Sequence, residues 1–486
     1  MTQRHEHRSP PRAGSDGVAP RNQGAPGPDE LNGPELSLRV AVERIRRGRL
    51  SSEAYTASLL EHIRRLEPHV RAFAWIDAET ALTRARDADR AGAAGLLAGI
   101  PVGVKDIIDT AGIPTALGSP VFQGRVPERS AEVVCRLETE GGFVFGKTVT
   151  AELAYFQPGP TRNPWNPAHT PGGSSMGSAA AVAAGMVPLA LGSQTNGSVI
   201  RPAAFCGCVG FKPSAGLISL AGVQAFSPTL DQLGVFVRSA EDAALALAAL
   251  IGPDGVDSAG GADAILRANL WPLTPMSRPP RLLAVRTPVW SLAEPHAQAH
   301  FAETIARLRA AGAAVEETEL PAAFEAAHAV QRAIMYAEGA RTLAELQARH
   351  RGQLSAVLNR LIDEGRAISD AQLGEACERR RSLQVDLARF LRAGDAIVTL
   401  PACGEAPATQ EHTGDPAFCT IWTLCGVPAI TLPSGRGPHG LPLGLQVAGA
   451  FREDALLLRT AHWLAAALNC AQPLPDAPGS AGGAQP

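Results

Sequence analysis

Gly172-Gly173-Ser174-Ser175-Met176-Gly177-Ser178-Ala179-Ala180-Ala181, followed by Gly192-Ser193-Gln194-Thr195-Asn196-Gly197-Ser198-Val199-Ile200-Arg201-Pro202-Ala203, is the stretch that decides how this chain is read. Ser174 and Ser198 both sit on runs of small residues, 24 positions apart. Upstream lies Gly99-Ile100-Pro101-Val102-Gly103-Val104-Lys105-Asp106, an apolar run that ends on a lysine. Two serines on small-residue loops and a lysine at a strand end are the parts of a Ser-Lys acyl-transfer centre. The lysine must be neutral to accept a proton, and burial achieves this by lowering its pKa. Arginine cannot do that work.

The lysine stands out by its rarity. Of 44 Lys+Arg residues only Lys105, Lys147 and Lys212 are lysine, and all three fall in this part of the chain. The 486 residues are 45% apolar and 19% charged with a net charge of −3, which suits a large buried core and excludes a nucleic-acid-binding polycation. No apolar run of about eighteen residues free of Gly, Pro and charge is present, so no membrane association is expected. The N-terminus, with Arg4, Arg8, Pro10, Pro11 and Arg12, has no apolar signal core, which predicts a cytoplasmic location. Eight cysteines without CxxC spacing, including Cys206-Gly207-Cys208 in an apolar setting, predict neither a disulfide nor a metal site.

Further out, the pattern alternates helices and strands. Residues 36–49, a second segment starting at Ser51-Ser52-Glu53, residues 131–140 and residues 297–311 carry helical periodicity. Residues 97–104, 143–145, 396–400, 428–432 and 443–448 read as strands, and 281–319 as strand, helix, strand. This predicts an α/β fold: a single large domain with a mixed, partly parallel central sheet covered by helices on both faces. The domain spans 35–473, with a helical excursion over 324–391. Residues 1–34 and 474–486, rich in Gly and Pro and poor in large apolar side chains, are expected to be disordered tails.

Two other motifs compete for the same region. Gly141-Gly142-Phe143-Val144-Phe145-Gly146-Lys147-Thr148 satisfies the phosphate-loop pattern, which would make the chain a nucleotide-binding module through Lys147. A helix rather than a strand leads into it, however, and Phe-Val-Phe favours a strand that ends just before Lys147. Gly173-Ser174-Ser175-Met176-Gly177 fits the nucleophile elbow with Ser175 as nucleophile. The elbow needs a strand before it, and Pro164, Pro167 and Pro171 stand there instead.

Taken together with Cys206-Gly207-Cys208-Val209-Gly210-Phe211-Lys212-Pro213-Ser214 and the segments 426–429 and 440–446, the motifs resemble those of the amidase signature family of Ser-cisSer-Lys serine hydrolases. The resemblance runs from about Leu36 to Leu468. It implies a cofactor-independent, metal-free amidase that cleaves the C–N bond of a small amide through an acyl-enzyme. Ser198 would be the nucleophile, Ser174 the bridging serine in a cis peptide with Gly173, and Lys105 the base. Backbone N–H groups of Thr195, Asn196, Gly197 and Ser198 would form the oxyanion hole. Gly146-Lys147-Thr148 and Phe211-Lys212-Pro213-Ser214 would line the edges of the core sheet, with Asp109 and Asp231 in structural places and His169 at the surface or behind the site.

Four positions depart from the family pattern or narrow it. Asn196 replaces a usual glycine, and asparagine tolerates a left-handed backbone. Met176 could narrow the substrate pocket or pack beneath it. Gln194 and the arginine three residues after Ser198 resemble the malonamidase and allophanate hydrolase branch, making Arg201 a candidate bidentate anchor for a substrate carboxylate; an arginine tied to backbone carbonyls is the competing reading. The same chemistry serves a glutamine-amidotransferase A-type subunit, which needs partner subunits. A small-molecule amide is the expected partner, nucleic acid is not contacted directly, and homodimerisation is left open.

Overall fold

The structure, a computed structural model, describes residues 33–251, 262–471 and 473–475. Among them eleven strands form one sheet: β1 (Phe73–Ile76), β2 (Pro101–Lys105), β3 (Phe143–Thr148), β4 (Leu189–Gln194), β5 (Val209–Lys212), β6 (Gln232–Val237), β7 (Arg281–Arg286), β8 (Ala314–Glu319), β9 (Ala396–Thr399), β10 (Ala429–Arg436) and β11 (Pro442–Ala448). Their order is β1-β3-β2-β4-β6-β5-β10-β11-β9-β7-β8. β2 lies parallel to β3 and β4, and β7 parallel to β8 and β9, while the strands between them pair antiparallel. Mixed pairing is thus present as the alternation of elements predicted.

Every residue of β2, β3, β4, β5, β6 and β11 is buried. Because successive side chains of a strand point to opposite faces, complete burial means that both faces of the sheet are covered. The edge strand β8, Ala-Val-Glu-Glu-Thr-Glu, is largely exposed, and its glutamates discourage edge-to-edge pairing. Helix boundaries follow local chemistry. Ser51 caps the helix Ser52–Val70 by accepting from the Ala54 N–H, and Ser369 closes a capping box on Asp370–Phe390 with Gln372. The helical excursion consists of Ala327–His350, Ala356–Arg366 and Asp370–Phe390. The first of these packs against the other two and against the short helix Thr420–Cys425.

Several expectations need correction. Gly33 and Pro34, assigned to a tail, belong to a 3-10 turn that leads into buried Leu36; residues 1–32 and 476–486 lie outside the described residues. β3 extends through Thr148, so Lys147 lies within the strand. Its side chain is fully buried and donates to Ile108 O (2.5 Å) and Thr115 Oγ1 (2.9 Å). A phosphate loop needs free backbone N–H groups and a lysine that reaches outward, and a paired strand with a consumed lysine offers neither. Lys212 is also internal: β5 sits in the middle of the sheet rather than at its edge, and the ammonium donates to Gln232 Oε1 (2.5 Å) and Val427 O (2.6 Å).

Candidate active site

β2 runs between β3 and β4 and ends on Lys105, whose side chain is entirely buried. Its Nζ donates to Ser174 Oγ at 2.7 Å and to Ser193 Oγ at 2.8 Å. Burial holds the Lys105 pKa well below the ordinary lysine value, and the nearby charge of Asp231 opposes that shift. A neutral amine touching two hydroxyls can accept a proton. Asp106, the next residue, faces away: its carboxylate accepts from the Ala116 N–H (3.1 Å) and lies 3.9 Å from Lys147. Burial raises the Asp106 pKa to about 6 and lowers that of Lys147 to about 8.

Ser174 reaches Lys105 from a loop that ends in the helix Met176–Ala183. The Gly173–Ser174 peptide is cis, and Gly172 adopts φ +81°, where an added Cβ would stand 2.7 Å from Pro202 Cα. Glycine is therefore required there on two counts. Gly177 is needed for close approach, since a Cβ would meet Ala72 O at 2.1 Å. Ser175 is fully buried, and its hydroxyl donates to Ser193 O (3.1 Å) and accepts from the Ser193 N–H (3.3 Å). A buried side chain bound to the backbone of β4 is not an exposed nucleophile, which removes the elbow reading. Met176 also leaves the pocket: it is fully buried, and its sulfur accepts from the Gly159 N–H (3.2 Å).

The loop Thr195–Ser198 follows β4 and carries half-buried Ser198. Gln194 anchors its far end by accepting from the N–H groups of Val199 (2.7 Å) and Ile200 (3.0 Å) and donating to Thr423 Oγ1 (2.8 Å). Thr423 in turn donates to Asn196 O (2.5 Å), and Thr420 Oγ1 to Asn196 Oδ1 (2.8 Å). Asn196 is not in a left-handed conformation, contrary to the sequence expectation; its side chain serves as an acceptor that ties the loop to the helix Thr420–Cys425. With these anchors in place, the N–H groups of Thr195, Asn196, Gly197 and Ser198 donate to no protein acceptor among the described residues. Four unspent donors thus lie on the loop that carries the Ser198 hydroxyl.

These groups line a cavity of about 330 Å³ that contains Ser174, Ser198 and Arg201 and is walled by Tyr155, Phe156 and Met335. Arg201, 2% exposed, is tied to backbone as the competing reading held: Nε donates to Thr413 O (2.9 Å) and Nη2 to Gly173 O (2.7 Å). Nη1 is buried without a partner. The guanidinium thus positions the Gly173–Ser174 turn and leaves only the two N–H groups of Nη1 unspent, so an anion would meet one nitrogen rather than the two-nitrogen fork expected.

A family model for amidases matches residues 54–458. This chain belongs to the amidase family. The A-type component of the glutamyl-tRNA(Gln) amidotransferase from Symbiobacterium thermophilum is 36% identical over 461 residues, which is 85% of this chain and 93% of the relative. Its counterpart from a Picosynechococcus strain is 34% identical over 446 residues, 82% of this chain and 91% of the relative. Among solved structures, the native peptide amidase of Stenotrophomonas maltophilia has a TM-score of 0.79 at 28% identity, covering 91% of this chain and 99% of its own. The corresponding A-type amidotransferase component from Thermotoga maritima has a TM-score of 0.76 at 29% identity, covering 92% and 99%.

Two other polar residues of the amidase near this region, His169 and Asp109, are held by local partners. His169 Nδ1 meets Ala406 O (2.6 Å), and Asp109 forms a two-pronged pair with Arg125. Ser193 was not anticipated. Its signal was a lone buried hydroxyl at the end of Leu-Ala-Leu-Gly-Ser-Gln, two residues before the loop Thr195–Ser198. Asp231, read as structural, accepts from Thr195 Oγ1 (2.6 Å) at the start of that loop.

Proposed function

We propose that this amidase hydrolyses the carboxamide of a small, carboxylate-bearing amide, with Ser198 as nucleophile, Ser174 as proton bridge and Lys105 as base. The observation that carries the reading is a buried lysine, driven toward its neutral form, bonded to a serine hydroxyl in the wall of the cavity that holds Ser198. Ser198 Oγ attacks the amide carbon while its proton passes through Ser174 to Lys105. The carbonyl oxygen becomes an oxyanion facing the N–H groups of residues 195–198, each such donor being worth about 3 kcal/mol. The C–N bond then breaks, the proton returns through Ser174 to the nitrogen, and ammonia leaves an ester on Ser198. Water, deprotonated along the same path, cleaves the ester to the acid and restores the serine.

Glutamine is the substrate that the relatives favour, because they are A-type components of amidotransferases and because its α-carboxylate suits the spare Arg201 Nη1. On this reading the ammonia goes to a partner acting on glutamyl-tRNA, and these relatives weigh toward it over the stand-alone amidase that the sequence placed first. Stand-alone hydrolysis of another carboxylated amide is the second reading, supported by the arginine three residues after the nucleophile. Ammonia release from glutamine, malonamate and acetamide is to be measured for the isolated chain, with and without amidotransferase partner subunits. Glutaminase activity stimulated by partners supports the first reading, and robust partner-free turnover of malonamate the second. In either case Arg201→Ala should cost carboxylated amides at least tenfold more in kcat/KM than acetamide, and equal losses would remove the anchor.

A further inference from the structure

A second cavity, of about 560 Å³, shares Ala154, Thr195 and Phe226 with the cavity of Ser198. Apolar side chains make up most of its wall, and two polar groups in that wall are Ser193 and Asp231. Ser193 is the hydroxyl that accepts from Lys105, and Asp231 is the carboxylate that accepts from Thr195. One small space therefore adjoins supports of both the base and the nucleophile loop.

The carboxylate of Asp231 is firmly placed. Oδ1 accepts from Thr195 Oγ1 (2.6 Å), and Oδ2 accepts from the N–H groups of Phe226 (2.8 Å) and Ser227 (3.0 Å). Sheet register sets the pairing, since Gln232 lies opposite Gln194 in the antiparallel β4–β6 ladder, which brings Asp231 opposite Thr195. Thr195 is held from its other side by Gln331, whose Nε2 donates to Thr195 O (3.3 Å). The charges that bear on Asp231 are few. Lys105 comes from the end of β2 and Glu338 from the helix Ala327–His350, where Glu338 is engaged with Ser227 and Thr229. Asp106 faces Lys147, and Asp109 is paired with Arg125.

We propose that Asp231 is a positioning residue with two tasks: it fixes Thr195, and through it the N–H groups of the nucleophile loop, and it is the counter-charge of Lys105. The proposal rests on the Ser198-Ser174-Lys105 reading above. Burial pushes the Asp231 pKa up to about 6, so the group is an anion at neutral pH and above. An anion stabilises the ammonium form of Lys105, which burial alone would disfavour more strongly. Asp231 thus sets the lower end of the pH range in which the base is free.

The two tasks separate by substitution. Asp231→Asn removes the charge and can keep all three hydrogen bonds, its carbonyl facing the N–H groups of Phe226 and Ser227 and its NH₂ donating to Thr195 Oγ1. Thr195→Val keeps the charge and removes the tether. The readout is the second-order rate at which a fluorophosphonate modifies Ser198, measured against pH and mapped by peptide mass spectrometry. For Asp231→Asn the acid limb should move down by about one pH unit with the plateau within about threefold of wild type. For Thr195→Val the limb should stay while the plateau falls about tenfold.

An unmoved limb in Asp231→Asn overturns the counter-charge, and a wild-type plateau in Thr195→Val overturns the tether. Failure of Asp231→Asn to fold, with its hydrogen bonds kept, would reduce Asp231 to a structural residue and overturn the proposal. Absence of label at Ser198 in the wild-type protein would instead overturn the underlying triad reading.

Discussion

Replacing Lys105 by Arg and by Met tests the chemical requirement for a neutral amine. Both variants retain a long side chain in a site with no exposure. Arginine keeps the donors that face Ser174 and Ser193 but not the titration, because a guanidinium stays protonated in proteins. Methionine has no proton-accepting nitrogen at all. A positioned general base contributes about 10²–10⁴-fold, so both variants should lose at least about 10²-fold in kcat for ammonia release and in fluorophosphonate reactivity at Ser198. Stability should part them. Met forgoes two neutral hydrogen bonds at about 1 kcal/mol each but no longer buries an amine, so its melting temperature should stay close to wild type. Arg overfills the site at a cost of about 1–3 kcal/mol and keeps a charge there. An Arg variant with more than a tenth of wild-type turnover would refute the reasoning, because a permanently charged residue cannot be the base.

Ser193→Ala removes one of the two oxygens that hold Lys105 and should lower kcat about tenfold at unchanged KM; an unchanged kcat would make Ser193 dispensable. Met176→Leu, beneath the pocket, should leave KM unchanged and cost less than about 1.5 kcal/mol in stability, whereas a shifted KM would return Met176 to the pocket. Lys212, its pKa lowered by burial to about 7, gives stability a pH slope. Between about 7 and 10.5 the unfolded chain binds a proton that the folded chain has released, so stability rises with pH by up to about 1.4 kcal/mol per unit. Lys212→Met should lose this contribution, and an identical slope of melting temperature against pH in both proteins would contradict it.

The sequence was legible where a local pattern carries the information. The continuous apolar run before Lys105, the glycines around Ser174 and the order of helices and strands pointed to a covered mixed sheet with its candidate site at the ends of central strands. What it could not show were partners supplied from far along the chain. Asn196 looked like a backbone matter because glycine is usual there, but its acceptor role depends on Thr420, 224 residues away. Arg201 posed two alternatives that proved compatible, since Thr413 and Gly173 take two of its nitrogens and leave the third. β1, β4, β5 and β6 were missed as strands because runs of four to six residues without turn signals look alike in helix and strand.

Lys105, Lys147 and Lys212 are all of the lysines in the chain, and each side chain is completely buried. The folded surface therefore offers no lysine amine to the solvent, and every positive side chain it shows is arginine or histidine. Reagents and enzymes that acylate, cross-link or conjugate lysine will find no target in the native protein beyond an amino terminus. The same groups become reactive when the sheet opens, so the rate of amine labelling in denaturant counts unfolding events directly, with three internal probes placed at the centre of the fold.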